Sequence, residues 1–156
     1  MKVNIQKYAP HMRNEVLNLK LREEDAQEVY SSSLLTPKEA IASSIDCGGY
    51  LYVIKEGRTI IAIFGVSILD YETGIPWLLG SNRLHEIKYQ IIKYSKTVLK
   101  VLMYPDNIKC LTNYISTTHQ PATVKWLKWL GFTMTDTDTY LSDPKVPFKQ
   151  FYRWKE

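Results

Sequence analysis

Apolar residues recur along the chain with two spacings, and the changes between them divide it into strands and helices. The alternation in "KVNIQKYA" predicts a first strand, which Pro10 stops. The stretch "YLYVIKEGRTIIAIFGVSIL" holds two apolar, β-branched runs. Gly57 lies between these runs and can supply the positive φ of a tight turn, so the pair predicts a hairpin. A further apolar run, "GIPWLLG", predicts a third strand after it.

Helical spacing of apolar residues covers two regions before this hairpin. Residues 11–31 fit one or two helices, with "REED" as a break or polar corner. The next helix has a complete start signal, because Thr36 can act as N-cap, Pro37 suits the first helical position and Glu39 lies in the first turn.

The second half of the chain alternates helices with strands. "SNRLHEIKYQIIKYSKTVLKVLMYP" predicts a long amphipathic helix that ends at Pro105, and "VKWLKWLGF" predicts a short one that ends at Gly131. Three remaining runs predict strands: "IKCLTNYIS", "FTMTDTDTYL" and "FKQFYRW".

The predicted order is therefore β, α, α, β, β, β, α, β, α, β, β, in one domain over residues 1–156. Right-handed crossovers through the helices at about residues 84–103 and 121–130 make "GIPWLLG" and "IKCLTNYIS" parallel neighbours. This order predicts an α/β (α+β) fold with a mixed central sheet and helices on both faces.

Composition limits the classes of protein to consider. The chain has 156 residues, of which 45% are hydrophobic, enough for one domain with a real core. It lacks an apolar run of membrane-spanning length and a secretory signal, which predicts a cytosolic protein. Cys47 and Cys110 have no metal-site spacing and are expected to be buried free thiols, so we expect no metal.

Charge adds little to this picture. The net charge is +4, but the lysines are scattered or lie on one solvated helix face, and no nucleic-acid-reading motif accompanies them, so we do not expect nucleic-acid binding. A diffuse positive field equally suits an anionic small ligand such as a nucleotide pyrophosphate.

The stretch "QPATVKWLKWLGF" and the order of elements resemble the acetyl-CoA-dependent N-acetyltransferase superfamily, GNAT, over almost the whole chain. Members commonly show an Asn, a small residue three positions on and a helix that ends in Leu-Gly-Phe. Gln120 stands here at the position of that Asn. The resemblance implies a mostly antiparallel sheet in which one parallel strand pair splays apart to hold coenzyme A.

The resemblance also implies where acetyl-CoA would bind. The pantetheine arm would lie along the strand Ile75–Leu79, where it would meet the backbone of Leu78 and Leu79. The pyrophosphate would meet the next loop, formed by Gly80, Ser81, Asn82 and Arg83, and Gln120 would face the cofactor. The superfamily's usual glycine-rich loop is absent, and the alternative reading of "GSNRLHE" is a helix cap at Ser81 or Asn82.

Catalysis in this superfamily needs a group that deprotonates the amine and a donor for the departing thiolate. Leu127 occupies the position of the usual Tyr donor, so replacements must be sought. His119 is a candidate base or acid, with a surface or capping histidine as the alternative. Asp70 and Glu72 are candidates near the acceptor entrance, with solvated turn carboxylates as the alternative. Tyr140 and Tyr114 are candidate donors, with strand aromatics as the alternative.

A narrower resemblance covers seven segments in order, from "LREEDAQEVY" and "TPKEAIASS" to "VKWLKWLGF" and "PFKQF". They resemble a phage family of acetyltransferase-like proteins that includes an internal virion protein of short-tailed phages. This resemblance implies a phage protein in the host cytoplasm or packaged in the virion. It leaves two functions open: an N-acetyltransferase whose acceptor is an amine, for instance on a host protein, or a catalytically silent virion or morphogenesis protein that acts through protein contacts.

Overall fold

A computed structural model describes residues 2–105 and 107–156 and shows one central sheet of eight strands. Met1 and Asp106 lie outside the described residues, and the prediction of one domain over residues 1–156 stays a prediction. The strands are β1 Val3–Lys7, β2 Tyr50–Glu56, β3 Thr59–Ile68, β4 Thr73–Gly80, β5 Cys110–Ser116, β6 Thr133–Met134, β7 Thr139–Tyr140 and β8 Pro147–Trp154. The helices are α1 Arg13–Leu17, α2 Glu23–Ser33, α3 Pro37–Asp46, α4 Lys88–Leu102 and α5 Pro121–Trp129.

The sheet is mostly antiparallel and has the order β1-β2-β3-β4-β5-β8-β6, with β7 also paired to β8. The parallel pair is β4 with β5, as the order of elements predicted. Helices cover both faces: Leu99 of α4 and Leu127 of α5 pack on one core cluster, and Met12 and Ile41 pack with a second cluster on the other face. The predicted fold class is confirmed.

Local start and stop signals in the sequence are also confirmed. Thr36 and Glu39 form a reciprocal capping box at the start of α3, with hydrogen bonds of 3.2 Å and 3.0 Å. Gly57 has φ +59° in the turn between β2 and β3, and Gly131 has φ +93° just after α5. The positive φ favours glycine at positions 57 and 131, and the capping box satisfies two backbone N–H groups at the start of α3.

Three local predictions differ from the structure in their bounds. The stretch "FTMTDTDTYL" forms two short strands on β8 rather than one. The long helix is preceded by a 3₁₀ segment, Asn82–Ile87, and α4 begins at Lys88. Residues 11–31 form two helices, and the break between them lies at residues 18–22, so that "REED" begins at its end and supplies the first turn of α2.

The two cysteines differ in their surroundings. Cys110 is buried on β5 as a free thiol, and burial raises its pKa. Cys47 is exposed, so the prediction that it is buried was wrong. Its Sγ atom lies 3.0 Å from the hydroxyl oxygen of Ser67.

Candidate functional site

The parallel strands β4 and β5 pair at one end only and then diverge. Thr73 lies opposite Cys110 and Gly74 opposite Leu111, and there the ladder ends. The carbonyl of Pro76 faces β5, because it accepts a hydrogen bond of 2.8 Å from the side-chain amide of Asn113. In a strand, the N–H and the carbonyl of one residue point the same way, so Pro76 lacks the N–H that would continue the ladder to β5.

A cavity of about 680 Å³ fills the gap that this divergence leaves. Its walls come mainly from β4, β5, α2, α4 and α5, with further residues from β1, β2, β3, α3 and β8, and they are mostly apolar. By the alternation of a strand, Leu78 turns its N–H and carbonyl to the same side as Pro76, toward the gap. Backbone hydrogen-bonding groups are thus available along the β4 wall of the cavity.

A buried carboxylate closes the end of the gap. Asp25 on α2 is 3% exposed and accepts four hydrogen bonds. Arg22 donates two of them at 2.8 Å, the backbone N–H of Gly80 donates one at 3.0 Å, and the side-chain amide of Gln120 donates one at 2.7 Å. The remaining oxygen of Gln120 accepts a hydrogen bond from Thr123. Asp25 therefore ties α2 to the end of β4 and to the start of α5.

Glu28 lies one helical turn further along α2 and lines the cavity. One of its oxygens accepts a hydrogen bond of 2.8 Å from the backbone N–H of Ser116 at the end of β5. Among the described residues no donor bonds the other oxygen. Burial raises the pKa of Glu28 to about 7 and the charge of Asp25 adds to this, while the Ser116 hydrogen bond and Arg22 oppose it. Near neutral pH this carboxyl can take up or release a proton.

The cofactor-loop residues predicted from the resemblance mostly bond within the protein. Gly80 gives its N–H to Asp25, and Ser81 gives both its N–H and its hydroxyl to the carbonyl of Ile61. Ser81 therefore does not cap the following helix with its side chain. Arg83 pairs with Glu56 and with Glu86.

Three other predicted cofactor residues differ in exposure. Asn82 is exposed at the start of the 3₁₀ segment, and Leu78 and Leu79 line the cavity. Packing explains the glycine at position 80, because a Cβ there would overlap the side chain of Leu84.

Four of the five predicted catalytic candidates lie outside the cavity wall. Asp70 and Glu72 are in the turn before β4, at the paired end of the two strands. A hydrogen bond from the backbone N–H of Glu72 lowers the pKa of Asp70, and Glu72 pairs with Lys109. His119 is partly buried beside the end of β5, where its backbone N–H donates to Ser116. Tyr140 is 53% exposed on β7.

Tyr114 on β5, the other candidate donor, does line the cavity. Sequence reasoning missed Arg22, Asp25 and Glu28. Their signal was the helical spacing, because Asp25 lies three residues before Glu28 and four before the apolar Val29, which places all three on one face of α2. Charged residues on an apolar stripe indicate an inward-facing polar cluster.

Two further features bear on the class of site. In the part of the chain that the structure describes, no group of three or more His, Cys, Asp or Glu side chains is arranged to hold a metal ion. None of the described helices combines the length and the apolar character that a membrane crossing requires.

Solved structures share this fold at low sequence identity. A GNAT-family acetyltransferase from Streptococcus pneumoniae is 12% identical, with a TM-score of 0.68 over 99% of this chain and 100% of that one. An N-acetyltransferase from Staphylococcus aureus is 13% identical, with a TM-score of 0.67 over 99% and 98%. The spermidine N-acetyltransferase of Vibrio cholerae, solved with CoA and spermine, is 11% identical, with a TM-score of 0.60 over 97% and 95%.

Sequence comparison adds no relative. Neither a protein-family model nor a curated protein matches the sequence. The chain therefore has the fold of the GNAT N-acetyltransferases, and its residues must carry any argument about activity.

Proposed function

We propose that the protein is an acetyl-CoA-dependent N-acetyltransferase of an amine acceptor, with Glu28 as the general base. The observation that carries this proposal is the position of Glu28 on the wall of the cavity between the diverging strands. A pKa of about 7 suits a base that works near neutral pH, because it is then ionised in part and basic enough to accept a proton. The shared fold supports the same class of reaction.

The reaction requires two proton movements. The acceptor amine must lose a proton, which Glu28 takes through its free oxygen, directly or through one water molecule. The amine nitrogen then forms a bond to the thioester carbonyl carbon, and the carbon–sulfur bond breaks. Tyr114 is our proposed donor to the departing thiolate, because it lines the same cavity.

The residues present fit part of acetyl-CoA. The cavity can take an extended arm, and Leu78 offers backbone groups along it. The loop that would meet the pyrophosphate offers fewer free hydrogen-bond donors, because Gly80 and Ser81 donate within the protein and Arg83 pairs with two carboxylates. A phosphate that reached this loop would have to compete with Glu56 and Glu86 for Arg83. When bound, acetyl-CoA would supply the acetyl group as a thioester.

Replacement of Glu28 by Gln tests the proposed base. The wild-type protein should acetylate members of a panel of amines that includes spermine, with kcat/KM rising as the pH passes through about 7. The E28Q variant should lose about 10²- to 10⁴-fold in kcat and lose this pH dependence. Glu23→Gln is the matched control, because Glu23 is an exposed carboxyl on the same helix. Equal activity of E28Q and E23Q would exclude Glu28 as the base.

A catalytically silent protein with this fold is the second candidate. The observation that favours it is the internal hydrogen bonding of Gly80, Gln120 and Arg83, which are the groups expected to hold the cofactor. Such a protein would act through protein contacts.

Thermal melting with acetyl-CoA separates the two candidates. A ligand at 100 times its Kd stabilises the folded state by about 2.7 kcal/mol. A rise in Tm followed by acetyl transfer supports the enzyme. The absence of any rise at millimolar acetyl-CoA favours the silent protein.

We propose in addition that the protein is phage-encoded, works in the host cytoplasm and acts on a host or virion protein. Support comes from the seven sequence segments that resemble the phage family. Mass spectrometry of purified virions tests packaging, and labelled acetyl-CoA in host lysate tests for a protein acceptor. Copies in the particle without any transfer to lysate proteins would support the silent protein.

A further inference from the structure

Helix α4 carries an unusual outer face. Its fifteen residues include four lysines and no Asp or Glu. Tyr89, Lys93, Lys96 and Lys100 follow one another at intervals of four, three and four residues, which places them in one row along the surface of α4. Tyr104, two residues beyond the end of the helix at Leu102, lines one groove with Lys100 and extends this row. We call this row the α4 stripe. From Tyr89 to Lys100 it spans about 16 Å.

The α4 stripe is exposed and positively charged. Tyr89 is 75% exposed and Tyr104 is 81% exposed. Within residues 2–105 and 107–156, none of the three lysines pairs with a carboxylate. Free ammonium groups at this spacing are available to an anionic partner.

Further aromatic side chains border the α4 stripe. Trp129, half exposed at the end of α5, lies under the ammonium group of Lys96, which is 4.3 Å from the ring centroid. Beyond Lys100 the row opens into a shallow groove of about 490 Å³ between the end of α4 and strands β1 and β2. Lys7, Tyr50 and Tyr52 line it, and no carboxylate is among its described lining residues.

The apolar side of α4 is already used, which argues against a membrane partner. Leu99 and Leu102 lie in the core cluster under the sheet. A helix that binds a membrane surface needs a free apolar face to insert between the lipids. The outer face of α4 instead presents a row of lysine side chains, with aromatic side chains at both ends of the row and beside it.

Rings and cations in one row fit a particular class of ligand. Proteins bind single-stranded nucleic acid by stacking bases on aromatic side chains while lysines follow the phosphates. A folded acidic peptide would use the lysines and leave the rings without a role. Against the expectation from net charge and motifs alone, we propose that the α4 stripe and the adjoining groove bind single-stranded nucleic acid with little sequence preference.

This site is separate from the cavity. Residues of the α4 stripe do not line the space between β4 and β5, which meets the opposite side of the helix through Ser95 and Leu99. Of the described residues that line the adjoining groove, Leu102 alone also lines the cavity, from the core side of α4. The proposal therefore stands whether or not the protein transfers acetyl groups.

Fluorescence anisotropy with a labelled single-stranded oligonucleotide of about twelve nucleotides tests it. The full-length protein should bind oligo-dT and oligo-U, and three lysine contacts should weaken the affinity about 20-fold between about 50 and 200 mM salt. The variant K93Q/K96Q/K100Q should lose this binding. The variant Y89A/Y104A should lose about fivefold or more for each ring, since stacked bases depend on them.

A charge-matched control excludes a simple effect of net charge. K20Q/K38Q/K145Q removes three exposed lysines elsewhere and should bind like the wild type. Equal loss in both lysine variants would overturn the proposal. Equal affinity for duplex DNA, with no effect of Y89A/Y104A, would also overturn it. The same holds if stoichiometric acetyl-CoA displaces the oligonucleotide, or if the protein binds anionic vesicles or poly-glutamate but not the oligonucleotide.

Discussion

Two carboxyl groups on one helix show how the environment of a residue decides its chemistry. Asp25 and Glu28 are three residues apart on α2 and both point toward the diverging strands. Four donors surround Asp25, whereas one backbone N–H reaches Glu28. Burial disfavours the charged form of Glu28 and raises its pKa, and the single hydrogen bond from Ser116 offsets this only in part.

Glu28 makes the stability of the protein depend on pH. Its folded-state pKa of about 7 lies above the ordinary value of 4.5, so the protonated form stabilises the fold. This contribution is complete below about pH 4.5 and is lost as the pH rises through 7. Relative to E28Q, the wild type should lose up to about 3 kcal/mol of unfolding free energy between pH 4.5 and pH 8.5.

Urea denaturation at several pH values measures this difference. The E23Q variant should follow the wild type, because Glu23 is exposed. Parallel pH curves for the wild type and E28Q would show that Glu28 titrates normally.

At the scale of elements, strand β4 decides where the cavity lies. Pro76 ends the pairing with β5, and Gly80 ends the strand where Leu84 packs against it. The sequence suggested a phosphate-binding role for Gly80. Its structural surroundings give a packing reason that applies with or without a ligand.

A double-mutant cycle separates these two roles of Gly80. Gly80→Ala should destabilise the protein by about 1–3 kcal/mol, because its new methyl group overlaps Leu84. In a Leu84→Ala background the same change should cost much less, since the overlapping side chain is gone. Unfolding free energies from urea titrations give the coupling. Additive costs would show that Leu84 is not the reason for the glycine.

At the scale of the whole molecule, strand β8 joins parts that are distant in sequence. It pairs with β5 over seven residues and also with β6 and β7. Phe148 and Phe151 point into the core from this strand, with exposures of 1% and 5%. The last strand of the chain therefore completes the sheet beside the cavity.

Two substitutions on β8 compare a buried ring with an exposed one. Phe148→Ala should cost about 3–5 kcal/mol, because it leaves a cavity in the core. Trp154→Ala, at a ring that is 64% exposed, should change stability by less than about 1 kcal/mol. Thermal or urea unfolding measures both. Similar costs for the two would mean that β8 does not seal the core as described.

Features that depend on nearby residues were readable from the sequence. Local interactions along the chain explain Gly57, Gly131 and the Thr36–Glu39 capping box. The spacing of apolar residues indicated the main strands and helices. The short β6 and β7 were merged into one strand, because their bounds depend on pairing with β8 and not on local pattern.

Only the tertiary structure decided which polar groups meet. Gln120 and Asp25 are 95 residues apart, and Glu28 meets Ser116 across 88 residues. No local pattern fixes such contacts, because they follow from how α2 packs across the ends of β4 and β5. The sequence by itself determined the main strands and helices and the fold class. The packing of distant elements decided which carboxyl is buried, which is paired and which is free to take a proton.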